Sequence, residues 1–291
     1  MASEASGDTL TGVSIQLIAL LTNVALALLK FTVGSIAGSR ALIADAFNSA
    51  GDVLATFAAW LAFRYGLRPP DEDHHYGHQN AEALAGLLLG GMLCATGAFI
   101  CIDGILGLRQ ALPAEGPGAL AMYAALATAI VKEVLYRVSI REGRRVNSPT
   151  LLASARDHRA DVLSSLVALA GIYIARMGYP QFDAIAGIVI GIYILYLSFE
   201  PLRDNTAILM QEAPPNLAKQ AKIIAIEIDG IQAINQVRVQ PIGGNYRMDM
   251  SVGVDGDLTV SQAHDLAHLA EDEILSQIPN VTEVYVHVEP S

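Results

Sequence analysis

The chain has 291 residues, of which 53% are hydrophobic and only 16% are charged, and its mean hydropathy is +0.41. Roughly a quarter of the residues of soluble domains are charged, so this composition indicates a membrane protein. A formal net charge of −11 argues against a nucleic-acid partner, which would need a basic face. The sequence shows no phosphate-binding glycine loop, nucleophile–base arrangement or cofactor fingerprint, so we expect neither an enzyme nor a bound cofactor.

Six apolar segments follow one another from the N-terminus, and each is long enough to cross a bilayer core of about 30 Å as a helix. They cover residues 10–33, 40–65, 80–108, 119–138, 149–176 and 183–202. A basic connector, residues 141–145, follows the fourth segment. The sequence therefore predicts an N-terminal tail (residues 1–9) and then an all-α transmembrane domain of six helices (residues 10–207).

The composition becomes that of a soluble domain after Arg203. Periodicity predicts a helix at 216–229, strands at 234–241 and 246–254, an amphipathic helix at 260–277 and a last strand at 281–288. The order αββαβ indicates a small α/β domain over residues 208–291, of the ferredoxin-like or metallochaperone-like type.

Arginines near the ends of the apolar segments are distributed unequally. Seven lie on the side that carries both termini and three lie on the other side. Because basic loops remain in the cytoplasm, both termini and the C-terminal domain are predicted to be cytoplasmic. We expect a multi-pass protein of the cell (inner) membrane.

Two pairs of oxygen-bearing side chains lie in the second and fifth segments. Asn48 and Asp52 are four residues apart, as are Asp157 and Asp161, so each pair occupies one face of a helix. Ionised carboxylates inside a membrane are unfavourable unless cations or protons compensate them. Two such helices could together form one metal site with four oxygen ligands.

A protein-only explanation remains open for these carboxylates. Arg156 and Arg159 lie on the same segment and could pair with them as structural ion pairs. Asp45, three residues before Asn48, is either a further ligand or a residue of helix packing or of the entry path. His158 is rotated by about 100° from its neighbours on a helix, which favours a packing role.

A polar cluster follows the second segment. Its members are Asp71, Asp73, His74, His75 and His78. His74 and His78 have the i, i+4 spacing that lets two imidazoles bind one transition metal. The alternative is a solvated polar loop.

A further cluster lies in the C-terminal domain. His264 and His268 share a face of the amphipathic helix, and His287 and Glu289 share a face of the last strand. A solvated surface is the alternative here as well.

These features together resemble the cation diffusion facilitator family of divalent metal transporters. The resemblance extends over nearly the whole chain and rests on residues 44–52, 76–78 with 81–83, 157–161, 212–215, 262–264 and 286–290. It implies a homodimer in a lipid bilayer whose C-terminal domains pack together. It also implies export of divalent metal ions from the cytoplasm by alternating access, with protons as the counter-ion.

The resemblance also implies three metal sites. The transport site would be Asn48, Asp52, Asp157 and Asp161; the loop site would be Asp71, His74 and His78; the site of the C-terminal domain would be His264, His287 and Glu289. Members of the family have a further histidine in that last site, at the position where this chain has Asn235.

The transport site of this chain offers only oxygen ligands. Zinc members of the family carry His or Asp at the position of Asn48 and His at that of Asp157. Carboxylate and amide oxygens suit Mn²⁺, whereas imidazole suits Zn²⁺. The set looks like that of the manganese branch, so Mn²⁺ is the expected cargo, with Fe²⁺ and Zn²⁺ as alternatives. A membrane metal sensor or assembly partner that does not transport is the rival function.

Overall fold

The structure is a computed structural model that describes residues 2–109, 116–145 and 149–291. Its first six helices are α1 (Ala2–Ala37), α2 (Arg40–Gly66), α3 (Ala81–Arg109), α4 (Ala119–Arg145), α5 (Pro149–Arg176) and α6 (Gln181–Leu209). The remaining elements are α7 (Pro215–Ile226), β1 (Ile231–Ile242), β2 (Asn245–Val254), α8 (Val260–Gln277) and β3 (Val281–Pro290). The predicted fold class, a helical membrane domain followed by a small α/β domain, is confirmed.

The described residues divide into two compact units. The helical unit contains the residues up to Phe57 together with Leu89–Glu200, and the sheet unit contains Ala58–Leu88 and Pro201–Ser291. The loop between α2 and α3 therefore belongs to the same unit as the α/β domain. This loop carries one of the predicted metal sites.

Four helical stretches in the described residues are long and apolar enough to cross a membrane. They are Leu17–Ala37 within α1, and α3, α4 and α6. The other two long helices, α2 and α5, carry the Asn48–Asp52 and Asp157–Asp161 pairs, and these polar side chains lower their mean hydropathy. The two long helices outside this group of four are thus the two that hold the candidate ligands.

The basic connector after the fourth segment is helical, which corrects the sequence prediction. Helix α4 continues to Arg145, and the Arg145 guanidinium donates to Glu142 at 2.6 Å. An ion pair at this i, i+3 spacing stabilises a helix, so the run of arginines extends α4 rather than ending it.

The core of the helical unit is built largely from small side chains. Ala41 of α2, Ala121 and Ala125 of α4, and Ala168 of α5 are almost completely buried, and Ile172 packs beside them. Small residues allow helix backbones to approach closely in membrane proteins. This close approach brings polar side chains of different helices within reach of one another.

The sheet unit contains a three-stranded sheet in the order β1-β2-β3. Strands β1 and β2 are antiparallel, whereas β2 and β3 are parallel and are joined by α8. Met248 and Val252 of β2 pack with Ile274 of α8 in the core. Gly243 lies in the β1–β2 turn with φ +59, a left-handed conformation that glycine adopts without strain.

Candidate metal centres

Asp161 of the α5 pair is the residue that contacts the α2 pair. The Asn48 amide nitrogen donates to Asp161 Oδ1 at 2.9 Å, and both side chains are buried. The carboxyl groups of Asp52 and Asp161 lie within hydrogen-bonding reach of each other. Asp157 lies one helical turn before Asp161 and interacts with its charge, but it is exposed. The structure thus brings the four predicted residues into one region of the helical unit.

Lys132 of α4 is a member of this cluster to which the sequence analysis gave no role. Its side chain is fully buried, and its ammonium group forms an ion pair with Asp161 Oδ2. The same ammonium donates to Asn23 Oδ1 of α1 at 2.8 Å. A lysine inside an otherwise apolar helix is the signal that could have identified it, because such a charge needs a partner in the membrane.

The alternative pairing of these carboxylates with an arginine is wrong for Arg159. Its guanidinium donates to Glu133 at 2.7 Å and lies over the Tyr136 ring, 5.2 Å from the centroid. Helix α4 therefore presents Lys132 to Asp161 and the neighbouring Glu133 to Arg159. Consecutive residues of a helix point about 100° apart, which explains why two neighbours have separate partners.

Asp45 has the surroundings of a helix-packing residue, which was one of the possibilities left open for it. It is completely buried, and its carboxylate accepts hydrogen bonds from Lys30 at 2.9 Å, Ser164 at 2.7 Å and Ser165 at 2.8 Å. Lys30 also donates to Ser49 Oγ at 2.7 Å. This network joins α1, α2 and α5 and leaves the carboxylate fully engaged.

His158 stays buried beside the cluster, at 2% exposure. Neither ring nitrogen has a hydrogen-bond partner within the part of the chain that the structure describes. Its burial among the helices agrees with the packing role expected from its rotation relative to Asp157.

The loop between α2 and α3 forms a compact ligand cluster. Asp71, His74 and His78 are the only group of three or more His, Cys, Asp or Glu residues in the described chain whose ligand atoms all lie within 4.8 Å of one another. Asp71 Oδ1 is 3.0 Å from His74 Nδ1, and Asp71 Oδ2 is 3.2 Å from His78 Nε2. Hydrogen bonds from the His74 backbone and side chain hold the pKa of Asp71 below its usual value. The three predicted residues of the loop site are therefore gathered in a geometry that suits a transition metal.

In the cluster of the C-terminal domain, the two histidines of α8 contact each other. His264 Nε2 lies 3.1 Å from His268 Nε2, and His268 Nδ1 lies 2.9 Å from Glu271. His287 is 4.0 Å from Glu289 and is mostly exposed. His264 and Glu289 line one open groove between α8 and β3, which does not include His287. The grouping of His264, His287 and Glu289 as one metal site therefore stays a prediction.

Glu289 instead pairs with the residue at the position of the missing histidine. Asn235 Nδ2 donates to Glu289 Oε2 at 2.5 Å. The polar side chains of Ser251 and Asn235, both close to the carboxylate, lower the pKa of Glu289. An amide donor therefore faces the carboxylate where a metal ligand was expected.

Comparison with known proteins identifies the family. Residues 16–210 match the cation efflux transmembrane domain, and residues 214–291 match the cytoplasmic domain of cation efflux proteins. The chain belongs to the cation diffusion facilitator family. This facilitator is therefore a multi-pass membrane protein that exports divalent metal cations, and not an enzyme.

Several relatives are similar to the facilitator over almost its whole length. The manganese efflux system protein MneP of Bacillus subtilis (strain 168) is 33% identical over 284 residues, covering 95% of each chain. The manganese efflux system protein MneS of the same organism is 27% identical over 282 residues, covering 96% of each chain. Among solved structures, a MamM-CTD variant matches with a TM-score of 0.27 and 20% identity, covering 27% of this chain and 100% of its own.

Proposed function

We propose that this cation diffusion facilitator exports Mn²⁺ from the cytoplasm in exchange for protons, and that Asn48, Asp52, Asp157 and Asp161 bind the ion. The observation that carries the proposal is the Asn48–Asp161 hydrogen bond, which joins the α2 pair to the α5 pair. The set so joined offers amide and carboxylate oxygens and no imidazole or thiolate. Such ligands suit Mn²⁺ better than Zn²⁺. The names of MneP and MneS agree with this cargo.

Ion binding requires a local change at Asn48. In the structure its amide donates N–H to Asp161, whereas an amide binds metal through its carbonyl oxygen. Rotation of the Asn48 side chain would present that oxygen beside Asp52 and Asp161. Three carboxylates then exceed the charge of a divalent ion, which favours its uptake from water into the membrane.

Release follows when protons replace the ion on the outward-facing side. A protonated carboxyl no longer binds metal, so metal and protons compete for Asp52, Asp157 and Asp161. The set contains no histidine, and the exchanged proton is therefore carried by an aspartate. The same proposal places both termini in the cytoplasm of a homodimer in the cell membrane, in agreement with the basic loops and with the family of residues 214–291.

Ion competition in reconstituted vesicles tests the cargo. We expect Mn²⁺ to be transported in preference to Zn²⁺ and Cd²⁺, with Fe²⁺ as the nearest competitor, and transport to be driven by an imposed pH gradient. The variant Asp52→Ala should reduce transport to the level of protein-free vesicles. The double variant Asn48→His/Asp157→His should shift the preference toward Zn²⁺, because it adds two imidazole ligands.

The controls separate the cargo from the coupling. Zn²⁺ preference in the unaltered protein would overturn the manganese assignment, and unchanged preference in the double variant would overturn the argument from ligand type. Transport that ignores the pH gradient would contradict proton exchange. Asp204→Ala, which removes an exposed aspartate of α6, should leave all three results as in the unaltered protein.

A further inference from the structure

A buried ammonium group, that of Lys132, forms an ion pair with Asp161, the carboxylate that joins the two halves of the proposed transport site. Lys132 is 0% exposed and forms an ion pair with Asp161 Oδ2, while the Asn48 amide donates a hydrogen bond to Asp161 Oδ1. Both oxygens of Asp161 are thus engaged by nitrogen donors. A metal ion that binds Asp161 would come into the immediate vicinity of a fixed positive charge, and two cations repel each other strongly in a medium of low dielectric.

Lys132 also has a second acceptor that carries no charge. Its ammonium donates to Asn23 Oδ1 of α1 at 2.8 Å. The lysine could therefore release Asp161 and still keep a hydrogen bond inside the helical unit. A long, flexible side chain with two acceptors on different helices can change partners without any movement of its backbone.

The charges of the cluster favour a lysine that stays close. Asp52, Asp157 and Asp161 all interact electrostatically with one another or with Lys132. Three carboxylates and one ammonium leave two negative charges, which equal the charge of one divalent ion. A cluster that is neutral when loaded is less costly within a membrane than one that carries a net charge.

We propose that Lys132 and the transported ion use Asp161 in turn. Lys132 contacts both Asp161 and Asn23 when no ion is bound, and it releases Asp161 and keeps Asn23 when the ion binds. The lysine is a positioning residue that acts through Asp161: it weakens ion binding, and together with the exchanged protons it compensates the carboxylates so that the carrier can return without a metal ion. This inference rests on the proposed transport site.

Metal binding to the full-length protein tests the exchange of partners. We would remove the loop ligands by Asp71→Ala, His74→Ala and His78→Ala, and measure Mn²⁺ binding to the detergent-solubilised protein by equilibrium dialysis. In this background Lys132→Gln should bind Mn²⁺ at least about fivefold more tightly, because no ammonium competes for Asp161. In vesicles the same variant should lose net transport more than it loses exchange of labelled for unlabelled Mn²⁺, since only net transport needs the empty carrier to return.

A double-mutant cycle with Asn23 separates the exchange from a structural role. Asn23→Leu should weaken Mn²⁺ binding when Lys132 is present, because the ammonium then has no second acceptor. It should have little effect in the Lys132→Gln background. Equal effects of Asn23→Leu in the two backgrounds would overturn the proposal. If Lys132→Gln fails to fold, the Asn23→Leu measurement alone decides, and unchanged or tighter binding overturns the proposal.

Further variants distinguish this proposal from the transport site itself. Lys132→Arg keeps a cation and should bind Mn²⁺ no more tightly than the parent. Asp161→Asn should abolish binding at this site. If Asp161→Asn binds Mn²⁺ like the parent, the proposed transport site is wrong. If Asp161→Asn loses binding while Lys132→Gln binds no more tightly than the parent, only the role of Lys132 is overturned.

Discussion

Two buried lysine–aspartate pairs in the helical unit have the same chemistry but different surroundings. In the first pair, Lys30 donates to Asp45 Oδ2, the Asp45 carbonyl oxygen and Ser49 Oγ, so all three of its N–H groups have acceptors. In the second pair, Lys132 has Asp161 and the neutral Asn23 as its acceptors among the described residues. Both lysines are 0% exposed.

The acceptors on each side decide what each pair can do. Asp45 is surrounded by Lys30, Ser164 and Ser165, and a carboxylate engaged by three donors has no reason to exchange partners. Asp161 is held by Lys132 and by Asn48, itself a proposed ligand. A charged residue inside a membrane helix is therefore evidence for a transport site only when its partners can be displaced.

The largest expected difference in transport is between the two double variants that replace each pair by apolar residues. Lys30→Met/Asp45→Leu should keep Mn²⁺ transport within about twofold of the unaltered protein, because buried ion pairs can be replaced by hydrophobic residues with little loss of stability. Lys132→Met/Asp161→Leu should fold but reduce vesicle transport to background. The measurement is the initial rate of Mn²⁺ uptake per folded molecule.

Single variants supply the matched control for folding. Lys30→Met alone leaves Asp45 ionised and buried, which should cost about 3–5 kcal/mol of stability. We expect a lower midpoint of thermal unfolding in detergent for this variant than for the double variant. Full transport loss in Lys30→Met/Asp45→Leu, with folding intact, would contradict the assignment of a structural role to this pair.

The spacing of residues was sufficient to identify the ligand pairs but not their partners. The i, i+4 rule places Asn48 with Asp52, and it depends only on the geometry of a helix. The partner of Asp161 depends on how α4 is rotated against α5, which no local pattern specifies. Lys132 and Glu133 are adjacent in sequence, yet they pair with different residues of α5. Long-range packing therefore decided between Arg159 and Lys132.

The loop site differs from both lysine–aspartate pairs, because no lysine or arginine competes for its ligands in the contacts described. Asp71 is paired with His74 and His78 themselves. We expect this site to bind Zn²⁺ readily, and His78→Ala should lower the Zn²⁺ stoichiometry by about one equivalent per chain. His75→Ala, which alters the neighbouring exposed histidine, is the matched control.

Acidification should empty the loop site through its histidines. Metal ligation requires unprotonated imidazole, so Zn²⁺ binding should weaken as the pH is lowered from about 7.5 to about 5.5. Asp71 remains ionised in this range, because its hydrogen bonds to His74 hold its pKa below the usual value. Zn²⁺ affinity that is constant over this range, measured by competition with a chelator, would contradict imidazole ligation.

In the C-terminal domain, sequence patterns predict the fold but not the side-chain contacts. The αββαβ order follows from periodicity and was predicted correctly. The grouping of His264 with His287 and Glu289 as one metal site stays a prediction, and His264 lies beside His268 on its own helix. This contact agrees with the i, i+4 spacing of the two histidines. The groups that His264 and Glu289 contact depend on side-chain rotamers and on Asn235, which donates a hydrogen bond to Glu289 from β1.

The Asn235–Glu289 contact should have the smallest effect, because both side chains are near the surface, where water screens the interaction. The neighbouring polar side chains lower the pKa of Glu289 in the folded protein. A depressed carboxyl pKa contributes stability above the pKa of the unfolded chain, and this contribution is lost as the pH falls through the folded pKa.

Asn235→Leu should therefore slightly lower the unfolding midpoint at pH 7 and raise the pKa of Glu289. At a pH below both pKa values, the part of the difference that comes from Glu289 ionisation should vanish. Asn216→Leu, at an exposed position of α7, serves as control, and an equal change at neutral and acidic pH would show that Glu289 is not the cause.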